Sequence, residues 1–417
     1  MACGIVRAVS RAHVLLLENI HVSAHEEFRR SEITVHTHGG GMTDTRLIQA
    51  LQALPGDAPL MVGIRSKTRV TAAVFEAVPR LVALGAFCIG TDQIDLEAAR
   101  RAGVVVFNAP FSNTRSVAEL VLGEIIMLSR QIFPRSMACH RGEWRKSATG
   151  SHEVRGKTVG IVGYGHIGSQ LSVLAESLGL TVLYYDIISK LPLGNAHPVD
   201  SLEALLEASD FVTLHVPDTE FTRGMIGASE IRCMRKGAYL VNASRGQVVD
   251  IPALRAALDD GHLAGAAIDV YPKEPKSLSE PFVSELRGVE SVILSPHIGG
   301  STEEAQANIG REVGSALSSY LLHGATIGSV NIPNLEAPPI DGGCRIVNLH
   351  RNVPGVLSAV NRVVAESEVN VTGQRLGTLA DVGLLIVDLA IDSSDPRARA
   401  VSEAIAALPT SLRTRIL

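Results

Sequence analysis

The sequence predicts an α/β protein: two doubly wound parallel-sheet domains followed by a smaller ferredoxin-like domain. Three observations carry that expectation. Short apolar runs alternate with helical patterns through most of the 417 residues, the rhythm of βαβ units. Hydrophobic residues make up 46% of the chain but aromatics only 4%, the aliphatic-rich profile of strands covered by helices on both faces. From residue 345 onward the rhythm changes to β-α-β-β-α-β, the split motif of ferredoxin-like folds. The length accommodates two or three domains of roughly 100–200 residues each.

Taken in order, residues 14–17, 59–64, 81–84 and 104–107 read as strands, with helical patterns over 45–54, 71–77 and 95–102 between them. Ser116-Val-Ala-Glu119 has the form of a capping box opening a long apolar helix to about Gln131. Strand 158–162 then runs into Gly163-x-Gly165-x-x-Gly168, which opens a helix, and strand 181–185 ends at Asp186. Further strands fall at 211–214, 239–242, 265–269 and 292–294. The stretch Asn331-Ile-Pro-Asn-Leu-Glu-Ala-Pro-Pro reads as a linker. Beyond it come strand 345–350, helix 354–367, strands 369–376 and 382–390, helix 396–408 and strand 412–417.

The glycine unit is the most informative segment. Glycine is frequent here (38 residues), so the triplet alone says little; the complete strand–loop–helix–strand–Asp unit is specific for nucleotide binding. Gly163 permits the tight turn, Gly165 lets backbone amides approach a pyrophosphate, and Gly168 lets the helix pack on the strand. The helix N-terminus offers unpaired N–H groups to that pyrophosphate. Asp186 would accept the ribose hydroxyls and repel a 2′-phosphate. Ile187 and Ile188 follow with no arginine to grip one, so the expected cofactor is NAD, not NADP.

Composition narrows the function further. A net charge of -5 and a pI near 6.3 give the whole molecule no electrostatic reason to bind nucleic acid or a membrane surface. No run of eighteen uncharged apolar residues exists, so no transmembrane helix is expected. Cys3, Cys88, Cys139, Cys233 and Cys344 are scattered without a C-x-x-C pair, so buried reduced thiols are expected and a metal site is not. Arg7, Ser10 and Arg11, with no acid before Glu18, have the look of an organellar presequence. Residues 13–18 read instead as a first strand, and a cytoplasmic protein is the expectation.

Three polar residues sit at the ends of successive strands of the second sheet, where ligands of doubly wound folds collect. Arg245 lies in Asn-Ala-Ser-Arg-Gly, Glu274 in Tyr-Pro-Lys-Glu-Pro and His297 in Ser-Pro-His-Ile-Gly-Gly. A nicotinamide brings the hydride chemistry, so the protein must supply binding, orientation and a proton site. Oxidising a secondary alcohol beside a carboxylate needs a base, and histidine titrates nearest neutrality. Glu274 would fix the His297 tautomer and stabilise its charge. Arg245 would hold the substrate carboxylate through two parallel bonds while polarising the reacting oxygen. Asp269 is a candidate partner for the nicotinamide amide. In the first sheet, Arg65-Ser66-Lys67 follows a strand and makes a clamp suited to a phosphate or carboxylate.

With these residues in view, the chain resembles the D-3-phosphoglycerate dehydrogenases of the shorter type, a branch of the D-isomer-specific 2-hydroxyacid dehydrogenases that carries a C-terminal ACT domain. The resemblance spans essentially the whole chain. It is densest in Phe87-Cys-Ile-Gly-Thr, Phe107-Asn-Ala-Pro-Phe-Ser-Asn-Thr-Arg-Ser-Val-Ala-Glu119, Gly163-Tyr-Gly-His-Ile-Gly168, Asn242-Ala-Ser-Arg-Gly246 and Pro296-His-Ile-Gly-Gly-Ser-Thr302. It implies a discontinuous substrate domain (1–111 and 299–335), an inserted Rossmann NAD domain (112–298) and an ACT regulatory domain (340–417). The catalytic cleft would then lie at a two-stranded hinge, whose closure excludes water. The same resemblance implies NAD contacts from His166, Ile167, Asp186, Ala243, Ser244, Arg245, Asp269 and the turn His297, Ile298, Gly299, Gly300. It also implies the substrate 3-phosphoglycerate at Arg65, Ser66, Lys67 and Arg245.

The tail resembles the domain in which serine binds between subunits, with His350 and Asn352 matching the effector loop and Asn370 its partner. Two departures stand out: Val353 where related sequences often carry a basic residue, and Asp92 where many have Asn. The first bears on the strength of serine inhibition, the second on the substrate pocket. Trp144, the single tryptophan, falls in a segment that similar proteins use at a subunit contact, and a homotetramer is the expected assembly. The reaction implied is NAD-dependent oxidation of 3-phosphoglycerate to 3-phosphohydroxypyruvate, the entry to serine synthesis. The alternatives are another D-2-hydroxyacid dehydrogenase, including one reducing 2-oxoglutarate, and an NAD-sensing scaffold for protein partners.

Overall fold

A computed structural model describes residues 12–275, 280–340 and 342–417. Cys3, Arg7, Ser10 and Arg11 therefore lie outside the described residues. The chain forms two compact units, one made of Met1–Ser112 and Gln306–Leu417, the other of Asn113–Ala305.

The first unit opens with strands β1 (His13–Leu17), β2 (Thr34–His38), β3 (Leu60–Ile64), β4 (Leu81–Ala86) and β5 (Val105–Phe107). They pair in the order β2-β1-β3-β4-β5, every ladder parallel. Chain order thus reverses between β1 and β3, which opens a crevice beyond their C-terminal ends. Strands β1, β3, β4 and β5 are buried along their whole length, as continuous aliphatic runs require. Strand β2 and the helix before it, Val22–Arg30, carry no such mark. Thr-Val-His-Thr-His lies at the sheet edge, half exposed, so its sequence shows no apolar run.

The second unit holds β6 (Thr158–Val162), β7 (Thr181–Tyr185), β8 (Ala196–Pro198), β9 (Phe211–Leu214), β10 (Ala238–Asn242), β11 (Leu263–Ile268) and β12 (Val292–Leu294). All are parallel, in the order β12-β11-β10-β9-β6-β7-β8. The switch point falls between β6 and β9. Helix Thr114–Ser129 covers one face through Val117, Val121, Ile125 and Leu128. Its start corrects the capping-box expectation. Ser116 lies inside the first turn and bonds Thr302 at 2.9 Å, while Glu119 is taken by Arg115 in an i,i+4 pair.

The C-terminal sheet consists of β13 (Cys344–Arg351), β14 (Val371–Leu379), β15 (Val382–Leu389) and β16 (Ser411–Ile416). Its antiparallel order β14-β15-β13-β16 is the ferredoxin-like arrangement. One face, with Ile346, Leu385 and Val387, packs on helices Val356–Glu366 and Pro396–Ala406. The other, with Val347, Leu349, Leu384 and Ile386, joins the same core as Leu16, Phe28, Leu317 and Tyr320 of the first unit. Both central strands are consequently buried on two faces.

The expected linker is also part of this packing. Ile332 is fully buried, and the Asn331 amide accepts from Val106 N–H at 2.9 Å and donates to the Val104 carbonyl at 2.8 Å. A side chain thereby completes the ladder at the edge of β5, which a reading of prolines as free chain misses. The expectation of buried reduced thiols holds in part: the four described cysteines are unbridged and Cys344 is buried, but Cys88 and Cys233 are half-buried and Cys139 is exposed.

Arginines fasten the C-terminal sheet. Arg345, 1% exposed, forms a two-bond pair with Asp388 (2.5 and 2.9 Å) and donates to the carbonyls of His323 and Pro338. Arg413 donates to Pro79 and Ala102 carbonyls, and Arg415 to that of Leu321. His323, Ala102 and Leu321 lie at or near helix C-termini, where unpaired carbonyls and the dipole favour a cation. Replacing Arg345 with Met leaves the Asp388 carboxylate with the partly exposed Arg375 alone. Loss of one partner from such a buried pair should cost about 3 kcal/mol, read as an earlier transition in denaturant unfolding; an unmoved midpoint would contradict the assignment.

Candidate active site

The second unit gathers its chemistry at the C-terminal ends of β10, β11 and β12. Asn242, the last residue of β10, fixes the first loop: its Oδ1 accepts Ser244 N–H at 3.1 Å and the Ser244 hydroxyl at 2.8 Å, while its amide donates to the Arg245 carbonyl at 3.0 Å. Gly246 follows, packed so tightly on the Tyr271 and Pro272 backbone that a Cβ would overlap it. That close approach draws the Arg245 loop against the loop carrying Glu274.

Glu274 and His297 form a pair, with both carboxylate oxygens at 2.9–3.0 Å from Nδ1. Tyr271 N–H holds Glu274 from behind at 3.2 Å. The hydrogen bond to Glu274 raises the His297 pKa above its usual value against the opposing effect of burial. Burial alone would push Glu274 up, but the bond and charge of His297, with Arg245 in electrostatic range, hold it low. With Nδ1 turned to the carboxylate, Nε2 is the ring atom left for proton exchange.

His297 has φ +55°, a left-handed conformation that a non-glycine residue holds only when its surroundings enforce it. Asp269 enforces it. This carboxylate is 1% exposed and accepts the Ser295 hydroxyl at 2.6 Å, Ile298 N–H at 2.8 Å and Gly299 N–H at 2.8 Å. The turn 295–299 is wrapped around it. Three of its acceptor positions are thus internal, and any nicotinamide amide contact has to use what remains on Oδ2.

Glu124 lies near Asp269 beneath this site, and no motif in the sequence marks it. It is 3% exposed on helix Thr114–Ser129, and neither oxygen has a hydrogen-bond partner. Burial, then the charge of Asp269, pushes its pKa up to about 8. A carboxyl so placed is a neutral acid at pH 7. Its signal was a lone charge inside the apolar run Leu120-Val-Leu-Gly-Glu-Ile-Ile-Met-Leu.

The cofactor loop has the shape its glycines require. Gly163 has φ +93° and backs onto the His215 carbonyl, and Gly168 sits against the Gly163 carbonyl. Above Gly165 there is open space, beside exposed His166 and half-buried Ile167 at the start of helix His166–Ser177. Asp186 closes the loop, accepting Tyr164 N–H at 2.8 Å and Ile188 N–H at 2.9 Å. A dinucleotide fits these residues: a helix start behind the glycine loop, room for a pyrophosphate above Gly165, and a carboxylate at the next strand end.

In the first unit, Arg65 is half-buried while Ser66 and Lys67 are exposed after β3, and Asp92 is exposed. In the C-terminal sheet, His350 is 3% exposed with Nδ1 unbonded, and the Asn352 amide donates to the Ala380 carbonyl at 3.1 Å. His350 pairs with Gly383, whereas Asn370 directly precedes Val371, paired with Leu389 at the other end of β15. One chain therefore does not bring the three expected effector residues together. Trp144 is 83% exposed, not core, and Val353 is 45% exposed.

Comparison with known proteins places the chain in a family. Residues 122–299 match the D-isomer specific 2-hydroxyacid dehydrogenase NAD binding domain, and 346–413 match an AHAS small subunit-like ACT domain. The chain is 50% identical to the D-3-phosphoglycerate dehydrogenase of Escherichia coli K12 and 48% identical to that of Dictyostelium discoideum, in each case over 97% of both chains. A solved D-2-hydroxyisocaproate dehydrogenase superposes with a TM-score of 0.68 at 27% identity, covering 76% of this chain and 99% of that one.

Two outcomes follow. Glu274→Gln should lower the His297 pKa and carry the acid limb of kcat/KM for alcohol oxidation to lower pH, because the base must be neutral to act; an unmoved limb would exclude Glu274 from setting it. For Glu124, a folded pKa near 8 above the usual 4.5 means that stability is full below pH 4.5 and declines as pH rises to 8. At pH 7 the linkage amounts to about 3 kcal/mol. Glu124→Gln should remove it and flatten unfolding free energy between pH 5 and 8; an unchanged slope would show the carboxyl to be ionised.

Proposed function

The chain belongs to the D-3-phosphoglycerate dehydrogenases, and from that premise we propose that Arg245, Glu274 and His297 carry its NAD-dependent oxidation of 3-phospho-D-glycerate to 3-phosphohydroxypyruvate, the first step of serine biosynthesis. The observation that carries the assignment is the Glu274–His297 pair, at 2.9 Å, on a turn held by Asp269. NAD, held by the glycine loop and Asp186, would supply the hydride acceptor for C2 of the substrate. His297 removes the C2 hydroxyl proton through Nε2, and Glu274 stabilises the imidazolium that results. Arg245 neutralises the substrate carboxylate and polarises the C2 oxygen. In the reverse direction His297 returns the proton, and its raised pKa keeps it charged for that task.

Arg65, Ser66 and Lys67 are assigned to the phosphate. Asp186 is assigned to the ribose hydroxyls, and the amides beside Gly165, His166 and Ile167 to the pyrophosphate. Ala243, Ser244, Asp269 and residues 297–300 border the nicotinamide. For regulation, L-serine binding between two copies of the C-terminal sheet is supported by the opposite placement of His350 and Asn370, since a second chain can supply what one lacks. A homo-oligomer, a tetramer in the expected case, is supported by the exposed Trp144, an aromatic of the kind that anchors interfaces. No helix among the described residues is long and apolar enough to cross a membrane, and a cytoplasmic location accords with serine-pathway relatives.

The decisive experiment is steady-state turnover of 3-phosphoglycerate, glycerate and, in reverse, 2-oxoglutarate and 3-phosphohydroxypyruvate, with and without L-serine. The phosphorylated pair should lead and serine should inhibit. His297→Ala should lower turnover at least about 100-fold with NAD affinity kept; equal activity on glycerate would overturn the phosphate assignment.

A further inference from the structure

The crevice between β1 and β3 in the first unit is lined by a carboxylate to which no role has been given. Glu18 directly follows β1, is 6% exposed and has φ +60°. Its Oε2 accepts Lys67 N–H at 2.9 Å and its Oε1 accepts Thr68 N–H at 2.8 Å. Its own N–H donates to the His38 carbonyl at 3.0 Å. Fully buried Thr68 in turn accepts Met42 N–H at 3.2 Å. The Glu18 side chain thus ties the loop after β1 to the loop after β3, while its backbone N–H and the Thr68 hydroxyl bring in the end of β2 and the loop that follows.

The other end of the basic loop is pinned separately. The Gln93 amide donates to the Arg65 carbonyl at 2.7 Å and to the Gly90 carbonyl at 3.3 Å. Between these two supports, Ser66 is the exposed apex. Backbone amides at such a strand end are ordinarily what an anionic ligand uses. Here two of them are already occupied by the protein's own anion. An incoming phosphate has to be met by side chains, and their spacing depends on how the backbone beneath them is held.

We infer that Glu18 is the positioning residue for recognition of the substrate's phosphate: its carboxylate takes the Lys67 and Thr68 amides so that Arg65, Ser66 and Lys67 present a fixed cationic grip. The inference rests on the assignment of that loop to the phosphate. Glu18 touches neither substrate nor cofactor and acts through the loop alone. An isosteric amide cannot replace it, because a glutamine offers one acceptor oxygen and turns its NH2 toward an N–H donor.

The test is kinetic. Glu18→Gln should raise KM for 3-phosphoglycerate on the order of 10-fold, as loss of alignment does, with kcat and the KM for NAD changed less than about 3-fold. The ratio of kcat/KM for 3-phosphoglycerate over unphosphorylated glycerate should fall by about the same 10-fold factor. Gln93→Met, at the other support, should act in the same direction and serves if Glu18→Gln does not fold. Equal losses on both substrates, or no change in the ratio for either variant, would overturn the inference. A wild-type enzyme with no preference for the phosphorylated substrate would overturn the loop assignment itself, a result read without any variant.

Discussion

The buried carboxylate of Asp269 is the constraint on which the catalytic half depends. It collects a hydroxyl and two amides from the segment after the neighbouring strand, and in doing so forces His297 into a left-handed backbone that its sequence alone disfavours. The imidazole is aimed because the backbone beneath it cannot relax. Glu274 then meets the ring from the adjacent loop, and Gly246 lets the Arg245 loop close in without a side chain to hold it off. Glu124 keeps its proton mainly because it is buried, and the charge of Asp269 adds to that effect.

This arrangement recurs. At three places an acid at the end of one strand accepts backbone amides from the loop after a neighbouring strand: Asp269 from Ile298 and Gly299, Asp186 from Tyr164, and Glu18 from Lys67 and Thr68. Each of these loops carries residues assigned to a ligand. Parallel sheets release all their loops at one edge with unpaired N–H groups, and a carboxylate between two of them both satisfies those groups and sets the distance from loop to loop. Charge-assisted bonds to N–H donors are stronger than neutral ones, which suits positions where small displacements matter.

Much of this was legible in the chain. Arg245, Glu274 and His297 each follow an apolar run, so they could be placed at one sheet edge before any coordinates, and the glycine loop announces its own geometry. What stayed hidden has physical reasons. Edge strands such as Thr34–His38 face solvent and lose the apolar pattern. Glu18 and Lys67 are joined only by strand register, and no local spacing reveals a bond across that separation. Glu124 was visible as an oddity in an apolar helix, but its meaning required knowing that Asp269 lies nearby. The proline-rich segment looked free because a side-chain amide standing in for backbone pairing, as Asn331 does, leaves no sequence pattern.

The two-faced burial of the C-terminal sheet has a consequence for how this chain can be divided. Val347, Leu349, Leu384 and Ile386 complete a core begun by residues near the N-terminus, and Arg345, Arg413 and Arg415 occupy carbonyls that otherwise face solvent. Severing the polypeptide at Gly342 would strip an apolar surface bare and orphan several helix ends at once. The tail is therefore a wall of the dehydrogenase fold, not a detachable accessory. A catalytic fragment shorn of it would be sticky and short-lived unless that surface were redesigned.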